Sequence, residues 1–101
     1  MPIRENKPGW ESQDAEVVAL RALAWALAED RRAQRLVAIT GLTPGDLRGR
    51  ADDPAVLAAV LGFLAAHEPD LLACADALDL PPAALIAAER RLVPSGMEDG
   101  C

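Results

Sequence analysis

Aromatic side chains are scarce in this sequence. They make up 3% of its 101 residues, as Trp10, Trp25 and Phe63, and there is no tyrosine. β-Branched residues are also few, and they never alternate with polar residues over the length of a strand. The sequence therefore gives no support for a β-sheet, and its core must be built from closely packed alanine and leucine, which favour helices. We expect an all-α fold.

Side chains that carry catalysis are equally rare. The chain has one histidine, His67, and two cysteines, Cys74 and Cys101. His67 and Cys74 are seven residues apart with Pro69 between them, whereas a catalytic pair needs a contact of about 3 Å. Ser12 stands where a helix cap is expected. We predict no enzyme, with Cys74 buried in the core and His67 on the surface at a helix end.

Metal and disulfide patterns are missing as well. The acidic clusters at residues 52–53 and 67–70 match no known spacing of metal ligands, so we predict neither a metal nor a cofactor. Asp53 and Glu68 are better interpreted as helix caps. With two cysteines and no C-x-x-C pair, a disulfide scaffold is excluded, and a reducing cytoplasm is the expected location.

Positive charge is in the minority. Ten lysines and arginines stand against sixteen acidic residues, for a net charge of −6, so the overall field repels nucleic acid and anionic lipid. The longest uncharged run, residues 54–66, is shorter than the roughly 20 residues of a membrane span. The N-terminus shows no apolar signal segment. We therefore expect a protein without a membrane contact.

The sequence does contain clear helix starts and stops. They predict a compact bundle of about six helices, two long and four short, in one domain over residues 12–92, between a flexible arm (1–11) and a flexible tail (93–101). Gly41 is placed as a left-handed helix end, and Thr43-Pro44 as a cap and first residue. The predicted helices cover residues 12–28, 31–40, 44–51, 54–66, 69–78 and 82–92.

The first predicted helix is apolar on most of its circumference. We expect its main stripe to face the core, and only a narrow line through Asp14, Arg21 and Ala28 to face water. The residues of that stripe are Val17, Leu20, Ala24 and Leu27, with Val18 and Trp25 widening it. Trp10 precedes this helix, either docked as a hydrophobic staple or half-exposed in a loose arm.

A weak internal repeat is present at a shift of 38 residues. It aligns residues 22–51 with 60–89 and places Pro44 on Pro82. A period near 40 is typical of helical repeat units, and two copies favour a pseudo-symmetric pair packed face to face. We expect the first and fourth helices at its centre, with Trp25 and Phe63 in matched core positions.

The stretch from Gly41 to Arg48, the Asp53-Pro54 start of the fourth helix, and the corner from Leu80 to Leu85 resemble a small proteobacterial family known only as a domain of unknown function. The similarity covers about residues 15–91 and rests on a Gly-Leu-x-Pro-x-x-Leu-Arg corner. It implies an all-helical cytoplasmic protein without an established activity or transferable site residues. The second corner departs from the pattern at Asp79 and Pro81, which leaves its cap geometry open.

Two classes of function remain after these exclusions. The first is a non-enzymatic module for protein interaction, a small regulatory or adaptor protein with an unidentified partner, in which the uncharged helix 54–66 is a candidate homodimer face. The second is a helix-turn-helix-like binder of nucleic acid. Its candidate contacts are Arg31, Arg32, Arg35, Arg48 and Arg50.

Overall fold

The computed structural model describes residues 14–93. Within this range all regular structure is helical, so the prediction of an all-α bundle of about six helices is confirmed. The helices are α1 Ala15–Leu27, α2 Asp30–Thr40, α3 Pro44–Gly49, α4 Pro54–Ala65, α5 Glu68–Leu78 and α6 Pro82–Leu92. The two helices predicted to be long, α1 and α4, are the longest with 13 and 12 residues, but three others have 11 residues each and only α3, with 6, is clearly short.

Three helices begin at side-chain caps. Asp14, not Ser12, caps α1 by accepting a hydrogen bond from the backbone N–H of Glu16 at 2.8 Å; Ser12 lies outside the described residues. Asp53 caps α4 in the same way, as predicted. Thr43 forms a reciprocal capping box with Asp46 at the start of α3. These caps satisfy N–H groups that have no partner inside a helix.

The cap predicted at Glu68 is wrong. Glu68 is the first residue of α5, and His67 occupies the cap position without a side-chain hydrogen bond to the helix. Pro69 follows within the first turn, where its missing N–H leaves no donor unsatisfied. The negative charges of Glu68 and Asp70 then lie near the positive end of the helix dipole.

The shift of 38 residues reappears in the helix boundaries. It carries Asp30 onto Glu68 and Thr40 onto Leu78, so α2 and α5 have equivalent bounds. Both helices end in a left-handed residue, Gly41 with φ 79° and Asp79 with φ 60°, and no other described residue has a positive φ. The second corner therefore repeats the geometry of the first, although it lacks glycine.

The centre of the domain is formed by α1, α4 and α6, which pack on one another, while α2 and α5 lie against this group. The core thus contains a third central helix, where the repeat predicts α1 and α4 alone. Phe63 is 5% exposed, but Trp25 is only half-buried at the edge of the core, so the two are not equivalent.

The large apolar side chains of α4 are all covered within the chain. None of them is more than 5% exposed, and the remaining exposure belongs to its proline, alanines and glycine. The protein's own helices therefore cover these side chains, and the homodimer through residues 54–66 stays a prediction. The six large side chains are Val56, Leu57, Val60, Leu61, Phe63 and Leu64.

Candidate interaction surface

The helix α1 faces the core with a different side from the one that its sequence predicts. Its central buried positions are small: Ala19, Ala22 and Ala26 have no exposed surface. Val18 and Leu23 flank them and are also buried. Small side chains allow helix axes to come close, and this alanine face packs into the group formed with α4 and α6.

The stripe predicted as the core contact of α1 is on the outside. Val17 is 49% exposed, Leu20 41% and Leu27 40%, and Ala24 between them is also exposed. The prediction that only a narrow line of this helix faces water is therefore wrong. Because α1 is apolar on both sides, its residue pattern could not select between the two faces, and the closer packing of the alanine side decided it.

These four residues, which we call the heptad face, have the spacing of a helix-pairing seam. Val17, Leu20, Ala24 and Leu27 follow one another at intervals of 3, 4 and 3 residues, as the a and d positions of two heptads do. Glu16 stands at one edge and Arg21 at the other, where coiled coils carry charged residues. The α1 helix is therefore apolar on its inner side and also along one line of its outer side.

Arg21 is held in place beside the heptad face. Its guanidinium donates a hydrogen bond of 2.9 Å to the backbone carbonyl of Leu78, near the end of α5. A carbonyl near a helix C-terminus has no partner within the helix and attracts a cation. The contact ties α1 to α5 and fixes one edge of the exposed stripe.

Two of the five arginines predicted as nucleic-acid contacts are engaged in the junctions of α2. Arg32 lies 3.7 Å from the ring centroid of Trp25, donates to the backbone carbonyl of Trp25 at 2.7 Å and pairs with Glu29 at 2.8 Å. Arg35 pairs with the carboxylate of Asp70 on α5. Both side chains therefore hold helices together within the domain.

Arg50, which follows α3, is also engaged, in ion pairs with acidic side chains. Arg50 lies 3.0 Å from Asp53 and 4.0 Å from Asp46, and the hydrogen bond to Asp53 raises its pKa. The same bond lowers the pKa of Asp53, while the backbone N–H of Thr43 lowers that of Asp46. The side chain of Leu47 on α3 is buried in the core.

Arg31 and Arg48 remain exposed, and neither forms an ion pair within residues 14–93. They lie on two different helices, α2 and α3. Three side chains of the predicted arginine set are thus engaged in ion pairs or ring contacts, and Arg31 lines the same shallow pocket on α2 as Arg35.

His67 and Cys74 are in different environments. The side chain of His67 is 51% exposed and its Nδ1 lies 3.0 Å from a carboxylate oxygen of Asp70, which also pairs with Arg35. Cys74 has no exposed surface, and burial raises the pKa of its thiol to about 11. The thiol is a core group, as the sequence predicts.

A shallow groove of about 300 Å³ lies along α2 beside the start of α3, lined by Ala33, Gln34, Val37, Ala38 and Pro44. In the part of the chain that the structure describes, no group of three or more His, Cys, Asp or Glu side chains could hold a metal ion.

No single helix among residues 14–93 is long and apolar enough to cross a membrane; α4 and α5 reach that length and composition only together, with a bend of 113° between them.

The fold and surface define a small helical domain in which, among residues 14–93, α1 exposes an apolar face. The model of a family described as protein of unknown function (DUF3572) matches residues 12–95, and the chain belongs to this family. No curated protein and no solved structure matches the chain. The resemblance inferred from the Gly41–Arg48 corner is thus confirmed at the level of a small domain of unknown function.

Proposed function

We propose that this protein is a non-catalytic binding module that pairs its heptad face with an amphipathic helix of a partner protein. The observation that carries the proposal is the exposure of Val17, Leu20 and Leu27 at heptad spacing, on a helix whose other side already belongs to the core. An ordinary surface helix carries polar residues there. A regulatory or adaptor role fits a module of this kind.

The size of the face sets the strength of the contact. Fully burying a leucine or valine side chain contributes roughly 1.5–3 kcal/mol, so three side chains that are nearly half exposed contribute roughly 3 kcal/mol. A millimolar Kd already requires about 4 kcal/mol. The partner helix therefore needs contacts beyond the seam, and Glu16 at its edge favours a lysine or arginine on the partner.

The free thiol of Cys74 supports a cytoplasmic location for this module. Its burial in the core leaves it without a disulfide partner among the described residues, as is usual where cellular thiols are kept reduced.

A photo-crosslinking experiment tests the proposal directly. Benzoylphenylalanine is placed at position 20 on the heptad face, or at position 72 on α5, where Leu72 is 48% exposed and serves as a matched control. In cells of the organism that makes the protein, irradiation should give a discrete adduct with another protein from position 20 and not from position 72. The adduct should be lost when Val17 and Leu27 are both changed to glutamate.

Equal adducts from both positions, or none from position 20, would contradict the proposal. An adduct with a second copy of this chain would also contradict it, because the face would then pair with itself. Circular dichroism of each variant establishes that the helices are still formed.

A further inference from the structure

Two shallow grooves adjoin on the outer side of α2. The first, of about 300 Å³, lies between α2 and the start of α3, and the second, of about 370 Å³, runs along α2 itself. Gln34 and Ala38 line both of them and are exposed. The two grooves therefore form one elongated depression, which we call the α2 groove.

The two parts of the α2 groove differ in chemistry. The part beside α3 is lined by apolar side chains, among them Val37 and Pro44. The other part is lined by Arg31 and Arg35, and among residues 14–93 no carboxylate lines either part. A site with an apolar part and a cationic part suits a ligand that carries both an apolar side chain and an anionic group.

A cation stands at each end of the α2 groove. Arg31 is exposed and forms no ion pair within residues 14–93, whereas Arg35 is held by Asp70 of α5. Arg48, also exposed, lies one turn after Pro44 on the same face of α3, because residues four apart on a helix are neighbours. Its Cα–Cβ bond is tilted toward the start of the helix, and therefore toward Pro44.

The carboxylates nearby do not cancel these two charges. Three of the five in residues 29–53 are already paired with an arginine of the same stretch: Glu29, Asp46 and Asp53. The other two, Asp30 and Asp52, line neither part of the groove. Charges further away than about 8 Å are largely screened at physiological salt, so the net charge of −6 weighs less at the groove than its own arginines.

We propose that the α2 groove binds a short acidic segment of another protein, with an apolar side chain against Val37 and Pro44 and carboxylates at Arg31 and Arg48. The groove shares no residue with the heptad face. The inference therefore goes beyond the proposed function and does not rest on it.

The shape of the groove favours a stretch of extended chain. Each part has a volume at the lower limit of sites for small molecules, which is roughly 300 Å³. From Arg31 to Ala38 the groove follows α2 for about 10 Å at 1.5 Å per residue, a length that three or four extended residues cover. A phosphate backbone fits less well, because it has no use for the apolar part and needs more cations than two.

Nuclear magnetic resonance of the isotope-labelled full chain tests the inference with two capped tetrapeptides. Glu-Leu-Leu-Glu and Lys-Leu-Leu-Lys share their apolar centre and differ in the sign of their charges. The glutamate peptide should shift the backbone amide signals of Gln34 and Ala38 with a Kd in the millimolar range, because exposed ion pairs each contribute little. The lysine peptide should not shift them. The affinity of the glutamate peptide should fall as salt is raised.

Two double variants with the same change in net charge separate the α2 groove from the heptad face. Arg31→Ala with Arg48→Ala should weaken the binding of the glutamate peptide roughly fivefold, because two ion pairs are lost. Val17→Glu with Leu27→Glu should leave its affinity unchanged. Circular dichroism verifies that both variants are folded.

Three results would overturn the inference: no shifts at millimolar concentrations of the glutamate peptide, equal shifts with the lysine peptide, or an affinity that the arginine variant does not lower. Loss of binding in the variant at positions 17 and 27 would place the peptide on the heptad face and would also overturn it. A short DNA duplex should leave the signals of Gln34 and Ala38 in place. If the duplex shifts them more than the glutamate peptide does, the groove binds phosphate and the inference is wrong.

Discussion

At the scale of single residues, Cys74 shows how the core treats an ionisable group. The thiol on α5 has no exposed surface, and loss of hydration raises its pKa from 9.0 to about 11. Arg32 and Arg21 act in the opposite direction through their charges but are the weaker influences. The side chain is therefore neutral in the folded protein over the whole physiological range.

Stability should fall at alkaline pH because of this residue. The unfolded chain releases the Cys74 proton near pH 9, whereas the folded protein retains it to about pH 11. The contribution of the protonated thiol to the free energy of unfolding is therefore fully present below pH 9 and is lost between pH 9 and pH 11. A difference of two pKa units corresponds to at most about 3 kcal/mol. Urea unfolding at a series of pH values should show the decline in the parent.

The matched variant Cys74→Ala should lose most of this pH dependence, although it is less stable at neutral pH because of the small cavity. An equally steep decline in Cys74→Ala would assign the effect to other groups.

At the scale of helices, the sequence predicted where most elements begin and end. The caps at Asp53 and Thr43 and the left-handed Gly41 all follow from local chemistry, and the structure has each of them. The sequence could not predict which face of α1 turns toward the core, because Leu20 and Leu23 are equal in hydropathy. Only the packing of α4 and α6 against α1 distinguishes the two leucines. The candidate site was missed for the same reason: its residues looked like core.

The two leucines of α1 provide a direct test of that orientation. Leu23 is 5% exposed and Leu20 is 41% exposed, one turn apart on the same helix. We expect Leu23→Ala to lower the free energy of unfolding by about 2–5 kcal/mol, because it leaves a cavity in the core. Leu20→Ala should change it by about 0.5 kcal/mol or less. Similar losses for both variants in urea unfolding would contradict the assignment of the faces.

The two corners after α2 and α5 give a second test at this scale. Gly41 and Asp79 share a left-handed backbone, which costs a residue with a Cβ roughly 1–2 kcal/mol and glycine almost nothing. Gly41→Ala should therefore destabilise the protein by about 1 kcal/mol or more. Asp79→Gly should stabilise it by a smaller amount, because aspartate tolerates this conformation and glycine adds freedom to the unfolded chain. Thermal unfolding of both variants measures the signs, and a loss of stability in Asp79→Gly would refute the shared geometry.

At the scale of the whole molecule, charge separates the two classes of function that the sequence leaves open. The net charge is −6, and three of the five candidate arginines pair with acids or stack within the domain. A protein that binds duplex DNA neutralises several phosphates at once. The logarithm of its binding constant then falls with the logarithm of the salt concentration by about 0.9 per phosphate contact. Arg31 and Arg48 alone supply too few cations for that.

We therefore expect no retarded complex with duplex DNA in a gel-shift assay at physiological salt. The variants Arg48→Ala and Arg50→Ala should behave like the parent. Binding that weakens steeply with salt and disappears in either variant would instead establish the nucleic-acid function.

The packing of α6 against both α1 and α4 has a consequence for the order of events in the cell. Ribosomes add roughly 5–20 residues per second, so several seconds separate the synthesis of Leu27 from that of α6. During that interval α1 and α4 have emerged or are emerging without their third neighbour, and the alanine side of α1 is as uncovered as the heptad face. Closure of the core is therefore a late step that waits for α6 to be translated, and neither half of the repeat completes it alone.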